Sequence, residues 1–282
     1  MNDALISIIT PAYNASETIA RAVRSVLLQT YHNWEMLIIS DDGQDYQAML
    51  ATNHIVDPRL RFSTTGTIKS GPSRGRNIGI EMARGEFITT LDSDDEYQPK
   101  YLEKMFFAAS KHDVAMLIID GKLLPDGSKD LIYFQPPANE NFMVLERYFS
   151  VQGCNVTMFR KSVFTHRYLD GVFRGEDFLF DITFFATKSE IPIIYEPLYI
   201  YHFNQHSITS WTGNDTFFID DYKATITAIE NDVCLNDVIK NTVLAIYHHK
   251  LFQNYMYLGA KMRGECKNFY EYMRLYPRYF TF

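Results

Sequence analysis

The chain has 282 residues, 46% of them apolar, and a formal net charge of -7 at neutral pH. That length suits one large domain or two small ones with a full core, and the acidic balance argues against a nucleic-acid grip, which needs a basic surface. No apolar run reaches the roughly 18 residues of a membrane span, and nothing at the N-terminus reads as a signal peptide.

Residues 5–9 (LISII) read as a buried strand, broken by Thr10-Pro11-Ala12-Tyr13-Asn14. Ile19, Ala22, Val23, Val26 and Leu27 then recur at helical spacing within residues 16–29, with Ser16 placed to cap the helix. Residues 36–39 form a second strand, ended by Ser40-Asp41-Asp42-Gly43. A polar helical stretch follows, then a short strand at 60–63 and a glycine-rich loop leading into a helix that ends at Gly85. Residues 86–91 are the next strand, ended by Asp92-Ser93-Asp94-Asp95-Glu96. Pro99 opens a helix to about Lys111, and residues 114–120 are a strand. Residues 121–140 read as a hairpin or loop around Pro125-Asp126-Gly127. Residues 175–188 carry an apolar helical face, residues 192–203 read as two short strands, and the chain is helical from about Asn214.

Strands alternating with helices predict an α/β fold with a mostly parallel sheet. Ligands bind such sheets at the carboxyl ends of the strands. The segments after the first, second and fourth strands should therefore converge on one edge.

The acidic segment raises a physical question, because like charges so closely spaced repel unless a cation sits among them. Two aspartates with one residue between them, at a strand end, project toward the same space. Oxygen ligands of that kind suit Mg²⁺ or Mn²⁺, which commonly takes one or two carboxylates and leaves the rest of its shell to water and phosphate. Asp92 and Asp94 supply that number, with Asp95 in reserve. An acidic turn capping a helix fits the composition equally well. An EF-hand is excluded, because its sixth position would be Tyr97 rather than glycine.

The segments SIITPAYN, SDDGQD, GRNIGIEMARGEFITTLDSDD and RGEDFLF, in this order, resemble the family 2 glycosyltransferases over roughly residues 4–210. The resemblance implies the GT-A fold, a Rossmann-like nucleotide-binding sheet flanked by helices. Residues 1–212 would form the catalytic domain and residues 213–282 a C-terminal helical extension. It further implies inverting transfer of a hexosyl or N-acetylhexosaminyl group from a nucleotide-diphosphate sugar, usually uridine-based, with Mn²⁺ or Mg²⁺. Pro11 and Tyr13 would then line the base pocket, and Asp42 would accept from the base edge, with Asp41 as the alternative. Arg76 and Asn77, at a helix start where anions bind, would contact the donor, as would Asp92, Ser93 and Ser207. Asp94, Asp92 and His202 would hold the metal, His206 being the alternative histidine. Asp177 would be the general base and Glu176 its support, although a carboxylate pair also suits a helix N-terminus without any catalysis.

The acceptor implied is a hydroxyl of a glycan or glycolipid, in bacterial surface polysaccharide synthesis at the cytoplasmic side. A non-catalytic sugar-nucleotide binder is the rival from another class, and the presence of Asp92, Asp94 and Asp177 argues against it. A nucleotidyltransferase would carry a glycine-rich basic loop where this chain has TPAYNASET. Cys154, Cys234 and Cys266 are scattered and without CxxC spacing, which suits a reducing compartment and no cysteine metal site. From Lys240 to Phe282 there are seven Lys/Arg against two Glu, so this tail is +5 and the remainder -12. Its interleaved aromatic and basic residues predict helix packing, with one face available to an anionic membrane surface.

Overall fold

The computed structural model describes residues 3–119, 121–124, 126–131, 141–151, 155–164, 166–172, 175–202, 217–231, 235–267, 271–272 and 275–276. Its first half alternates β1 (Ile6–Ala12), α1 (Ile19–Leu27), β2 (Trp34–Ser40), α2 (Tyr46–Thr52), β3 (Leu60–Thr64), α3 (Pro72–Met82) and β4 (Phe87–Thr90). There follow β5 (Glu96–Tyr97), α4 (Tyr101–His112), β6 (Val114–Ile118), β7 (Gly121–Leu123), β8 (Lys129–Leu131), β9 (Phe142–Val144), α5 (Leu145–Val151) and β10 (Asn155–Arg160). The remainder comprises α6 (Glu176–Ile182), a 3-10 turn, β11 (Glu190–Ile194), β12 (Tyr199–His202), α7 (Phe217–Asn231) and α8 (Asp237–Met262).

The main sheet has the order β3-β2-β1-β4-β10-β6-β11-β9. β3, β2, β1 and β4 are mutually parallel, so the residues after β1, β2 and β4 emerge at one edge, as the alternation predicts. β10 lies antiparallel between β4 and β6, and sequence reading misses it. Its residues are buried on both faces with one half-exposed exception, so it shows no period-2 alternation, and no glycine or proline within it marks an end.

Alternation in β1 divides the core. Ile6 and Ile8 face the layer formed with α1 and α4, while Ile9 faces the layer that includes Phe178, Phe180 and the C-terminal helices. Ile226, Ile229, Val243 and Tyr247 belong to that second layer, so α7 and α8 share a core with the sheet. Two local expectations differ from the structure. Thr18, not Ser16, precedes the first turn of α1, because the Ala15 carbonyl accepts from Thr18 and Ile19 and takes residues 15–18 into a turn. The helix expected across 175–188 gives way after Ile182 to a 3-10 turn.

The fit of α3 onto β1 is close. A Cβ added at Gly79 would stand 2.3 Å from Cγ2 of the fully buried Ile9. Alanine would gain about 1 kcal/mol of helix propensity, but overpacking costs about 1–3 kcal/mol or more. Gly79→Ala should therefore lower the urea midpoint, and a raised midpoint would show that α3 has room to move.

Candidate active site

The edge formed by the ends of β1, β2 and β4 collects most of the expected residues. After β2, Asp42 accepts from Asn14 N at 2.7 Å, Tyr46 Oη at 2.7 Å, Gln44 N at 3.0 Å and Ser40 Oγ at 3.1 Å. Burial raises this carboxyl, but those hydrogen bonds outweigh it and hold Asp42 below the usual carboxylate range. Asp42 thus ties the second strand end to the first, beside the exposed Tyr13 ring. Asp41 turns the other way. It is buried and accepts from Thr65 Oγ1 at 2.7 Å, Gly71 N at 2.9 Å and Ser70 N at 3.0 Å, bracing the loop before α3. Pro11 lies under α3, where a Cβ at Gly75 would come within 3.0 Å of its own Cβ. Glycine at 75 leaves that close approach free of a side chain.

The acidic loop after β4 is clamped from below. β5 pairs antiparallel with β12, Tyr97 N donates to Ser25 Oγ at 3.1 Å, and the Tyr97 hydroxyl donates to the Thr90 carbonyl at 2.7 Å. Asp95 is buried and accepts from Tyr199 Oη at 2.7 Å and His202 N at 2.8 Å. Burial, then the charges of Asp92 and Asp94, push its carboxyl well up, while those two hydrogen bonds oppose the rise. Asp95 therefore anchors the loop and leaves Asp92 and Asp94 as its outward carboxylates.

Arg76, at the second turn of α3, joins this loop to α6. It is 2% exposed. Its Nη2 donates to Asp92 Oδ1 at 2.8 Å, its Nη1 donates to Glu176 Oε1 at 2.9 Å, and Asp177 Oδ1 lies 3.3 Å from Nη1. The guanidinium carbon stands 5.3 Å from the centre of the Tyr168 ring. The expectation of a donor-facing Arg76 thus meets a guanidinium engaged by three carboxylates. Asn77 is likewise engaged, exchanging hydrogen bonds of 2.9 Å with both the N–H and the carbonyl of Tyr168.

The members of the pair that opens α6 differ. The Glu176 side chain is 10% exposed and that of Asp177 37%, so Asp177 is the one open to a ligand. Burial pushes the Asp177 carboxyl up to about 7, aided by Glu176 and Asp92 and opposed by Arg76 and a hydrogen bond with Tyr168. A carboxylate so tuned can take a proton near neutral pH. One turn later, buried Asp181 accepts from Asn155 Nδ2 and Tyr148 Oη, and burial pushes it too up to about 7. Sequence reading singled out neither Asp181 nor its partners, because they come from three separated segments.

Asp92 and Asp94 fit a divalent ion in donor type. Their mutual closeness to Asp95, which both push up in pKa, marks a site of concentrated negative charge. His202 does not join them in this geometry. Its Nε2 lies 2.6 Å from Glu96 Oε1, which also faces Arg21 Nε at 3.5 Å. Among the described residues no three His, Cys, Asp or Glu side chains converge as a ligand set. Ser93 is half-buried in the same loop. Ser207 and His206 lie outside the described residues.

Residues 7–166, more than half of the chain, match the model of glycosyl transferase family 2. The chain is 35% identical over 128 residues to the UDP-Glc:alpha-D-GlcNAc-diphosphoundecaprenol beta-1,3-glucosyltransferase WfgD of Escherichia coli, a match covering 45% of this chain and 50% of that protein. It is 43% identical over 106 residues to an uncharacterized glycosyltransferase of Haemophilus influenzae, covering 37% of this chain and 42% of that one. The matches thus span about half, or less, of the length of these relatives. The crystal structure of Staphylococcus aureus TarS residues 1–349 with UDP-GlcNAc superposes with a TM-score of 0.64 at 20% identity, over 88% of this chain and 72% of that one. That likeness is one of fold.

Proposed function

As this chain belongs to glycosyl transferase family 2, we propose that it carries out inverting, metal-assisted transfer of one sugar from a UDP-sugar to a hydroxyl of a glycolipid or glycan acceptor in bacterial surface polysaccharide synthesis. The observation that carries this reading is the Arg76 bridge, which holds Asp92 of the donor-side loop and Asp177 of α6 within 3.3 Å of one guanidinium. A single displacement needs that juxtaposition: leaving group on one side of the sugar carbon, proton acceptor on the other. UDP as the nucleotide agrees with the donor in the name of WfgD and with the UDP-GlcNAc bound to TarS. A lipid-linked acceptor carrying phosphate agrees with the diphosphoundecaprenol in the name of WfgD.

Pro11, Tyr13 and Asp42 bind the nucleoside at the ends of β1 and β2. Asp94 and Asp92, with Ser93 between them, face the diphosphate and would hold Mn²⁺ or Mg²⁺. When bound, the ion supplies positive charge as the nucleoside diphosphate leaves. Asp177 removes the proton from the acceptor hydroxyl while the oxygen of that hydroxyl bonds to the anomeric carbon and the bond from that carbon to the phosphate oxygen breaks. Glu176 stays on Arg76 and fixes the opening turn of α6. Asp94→Ala should abolish Mn²⁺-dependent UDP binding in calorimetry. Unchanged metal-dependent affinity would overturn the assignment of the loop.

Residues 1–212 carry this chemistry and residues 213–282 serve the acceptor and membrane side. No described helix is long and apolar enough to cross a membrane. Phe252, Tyr255, Met256 and Met262 are exposed along α8, next to Lys261, Arg263 and Lys267. Of these cations Arg263 already pairs with Glu265. Apolar and basic groups together are attracted to an anionic bilayer surface, at about 1 kcal/mol for each basic residue near it. The protein should co-sediment with anionic but not neutral vesicles. Binding should weaken with salt, because the Debye length is ~10 Å at 0.1 M. Neutralising Lys261, Arg263 and Lys267 should reduce binding while UDP affinity is retained. Indifference of the wild-type protein to anionic vesicles at low salt removes the membrane reading.

A further inference from the structure

Helix α1 and its end carry a polar ladder along the segment that follows β4. Arg21, Ser25 and Gln29 stand four residues apart and so on one face. Gln29 Nε2 donates to the Gln98 carbonyl at 2.8 Å, and Leu102 N donates to Gln29 Oε1 at 2.9 Å. Tyr97 N donates to Ser25 Oγ at 3.1 Å. Arg21, the first rung, meets the acidic part of the same segment. Its Nη2 donates to the backbone carbonyl of Asp94, and its Nε lies 3.5 Å from Glu96 Oε1. Ser25 and Gln29 are buried and satisfy backbone groups of the packed segment. Arg21 differs in carrying a charge and in a side chain that is 38% exposed. An ion pair that open to water contributes little to stability, so stability alone gives no reason for an arginine at this rung.

The reason lies in the loop. Asp92, Asp94, Asp95 and Glu96 are like charges in five consecutive positions. Asp92 is met by Arg76 from α3, and Asp95 is drawn inward by Tyr199 and His202. Glu96 Oε1 lies between Arg21 and the His202 ring. Asp94 is held through its backbone, and a held carbonyl fixes the peptide plane that follows the residue. We propose that Arg21 is a positioning residue for Asp94, holding the acidic loop from α1 in the form that receives the donor diphosphate. The proposal rests on the transferase reading given above and extends it from the loop's carboxylates to the helix behind them. Two arginines then divide the loop, Arg76 taking its first carboxylate and Arg21 the backbone two residues on. The bond to the Asp94 carbonyl orders that residue without drawing on its carboxylate oxygens.

The test titrates UDP into the full chain over a series of Mn²⁺ concentrations, with uridine as the probe that lacks phosphate. Arg21→Met should raise the Mn²⁺ concentration that gives half of the metal-dependent gain in UDP affinity by about tenfold, the low end of the usual effect of removing an outer partner of a metal ligand. Uridine affinity and melting temperature should stay as in wild type. The direction is decisive. An arginine acting only as a nearby positive charge would repel the ion, so its loss would lower that concentration. Arg24→Met, which removes a charge from an exposed position of the same helix, should leave it unchanged. Should Arg21→Met unfold, Arg21→Gln takes its place in the same comparison. The proposal is overturned if the Arg21 variant leaves the Mn²⁺ requirement unchanged or lowers it, or if Arg24→Met raises it as much. It is equally overturned if uridine affinity and melting temperature fall alongside, which would make Arg21 a general support of the fold. A wild-type protein whose UDP affinity gains nothing from Mn²⁺ would instead bring down the assignment of the acidic loop, and this inference with it.

Discussion

Replacing Asp177 by asparagine should lower turnover by about 10²- to 10⁴-fold, the usual contribution of a positioned general base, while UDP binding stays near that of wild type. Asparagine keeps the shape of the side chain and its place on α6, and removes only the ability to take a proton. The pH dependence gives an independent check. The Asp177 carboxyl is pushed up to about 7, so below that pH it is protonated and cannot act as a base. Wild-type turnover should therefore climb as pH rises toward about 7 and level off above it. In Asp177→Asn the residual rate should lose that limb. Initial rates across this range, at saturating donor and acceptor, decide it. Near-normal turnover in the variant, or the same rising limb in both proteins, would place the base elsewhere.

The parts of this site that sequence could reveal are those written in contiguous residues. Strand-helix alternation and the turn residues at 10–14, 40–43 and 92–96 were sufficient to place three loops on one sheet edge, because parallel strands put their carboxyl ends together. The order of the strands was another matter. β10 enters between β4 and β6 from a segment that begins only after both, and its almost wholly buried pattern gives no periodic signal. The roles of individual charges were less legible still. The question of which cation sits among the aspartates has a partial answer inside the chain, since Asp92 is met by Arg76. That arginine also meets Glu176, one hundred residues away, and no local pattern announces such a contact. His202 resembled a ligand in the sequence, yet its ring faces Glu96.

Arg76→Met should destabilise the protein by about 3–5 kcal/mol, the range for removing one partner of a buried ion pair and leaving the other uncompensated. Methionine preserves most of the stem packing, so the loss reports charge rather than volume. Asp92, with a side chain 43% exposed, is screened by water and contributes little. The cost falls mainly on Glu176, whose side chain is 10% exposed, and less on Asp177, which at 37% is partly screened; burial already raises both carboxyls against the pull of Arg76. Without the guanidinium that opposition disappears and both rise further. A carboxyl whose folded pKa exceeds its unfolded value keeps its proton in the fold after the unfolded chain has lost it, so stability declines as pH rises between those values. For Asp177 in wild type that window runs from the ordinary aspartate value of 3.8 to about 7. In the variant it extends higher. Urea unfolding should accordingly show a larger deficit for Arg76→Met at pH about 8 than at about 5, where Asp177 is protonated in the fold. Adding Glu176→Gln should recover part of the loss at the higher pH. An equal deficit at both pH values, untouched by Glu176→Gln, would mean that Arg76 serves packing against Tyr168 and that the link between Asp92 and Asp177 is incidental.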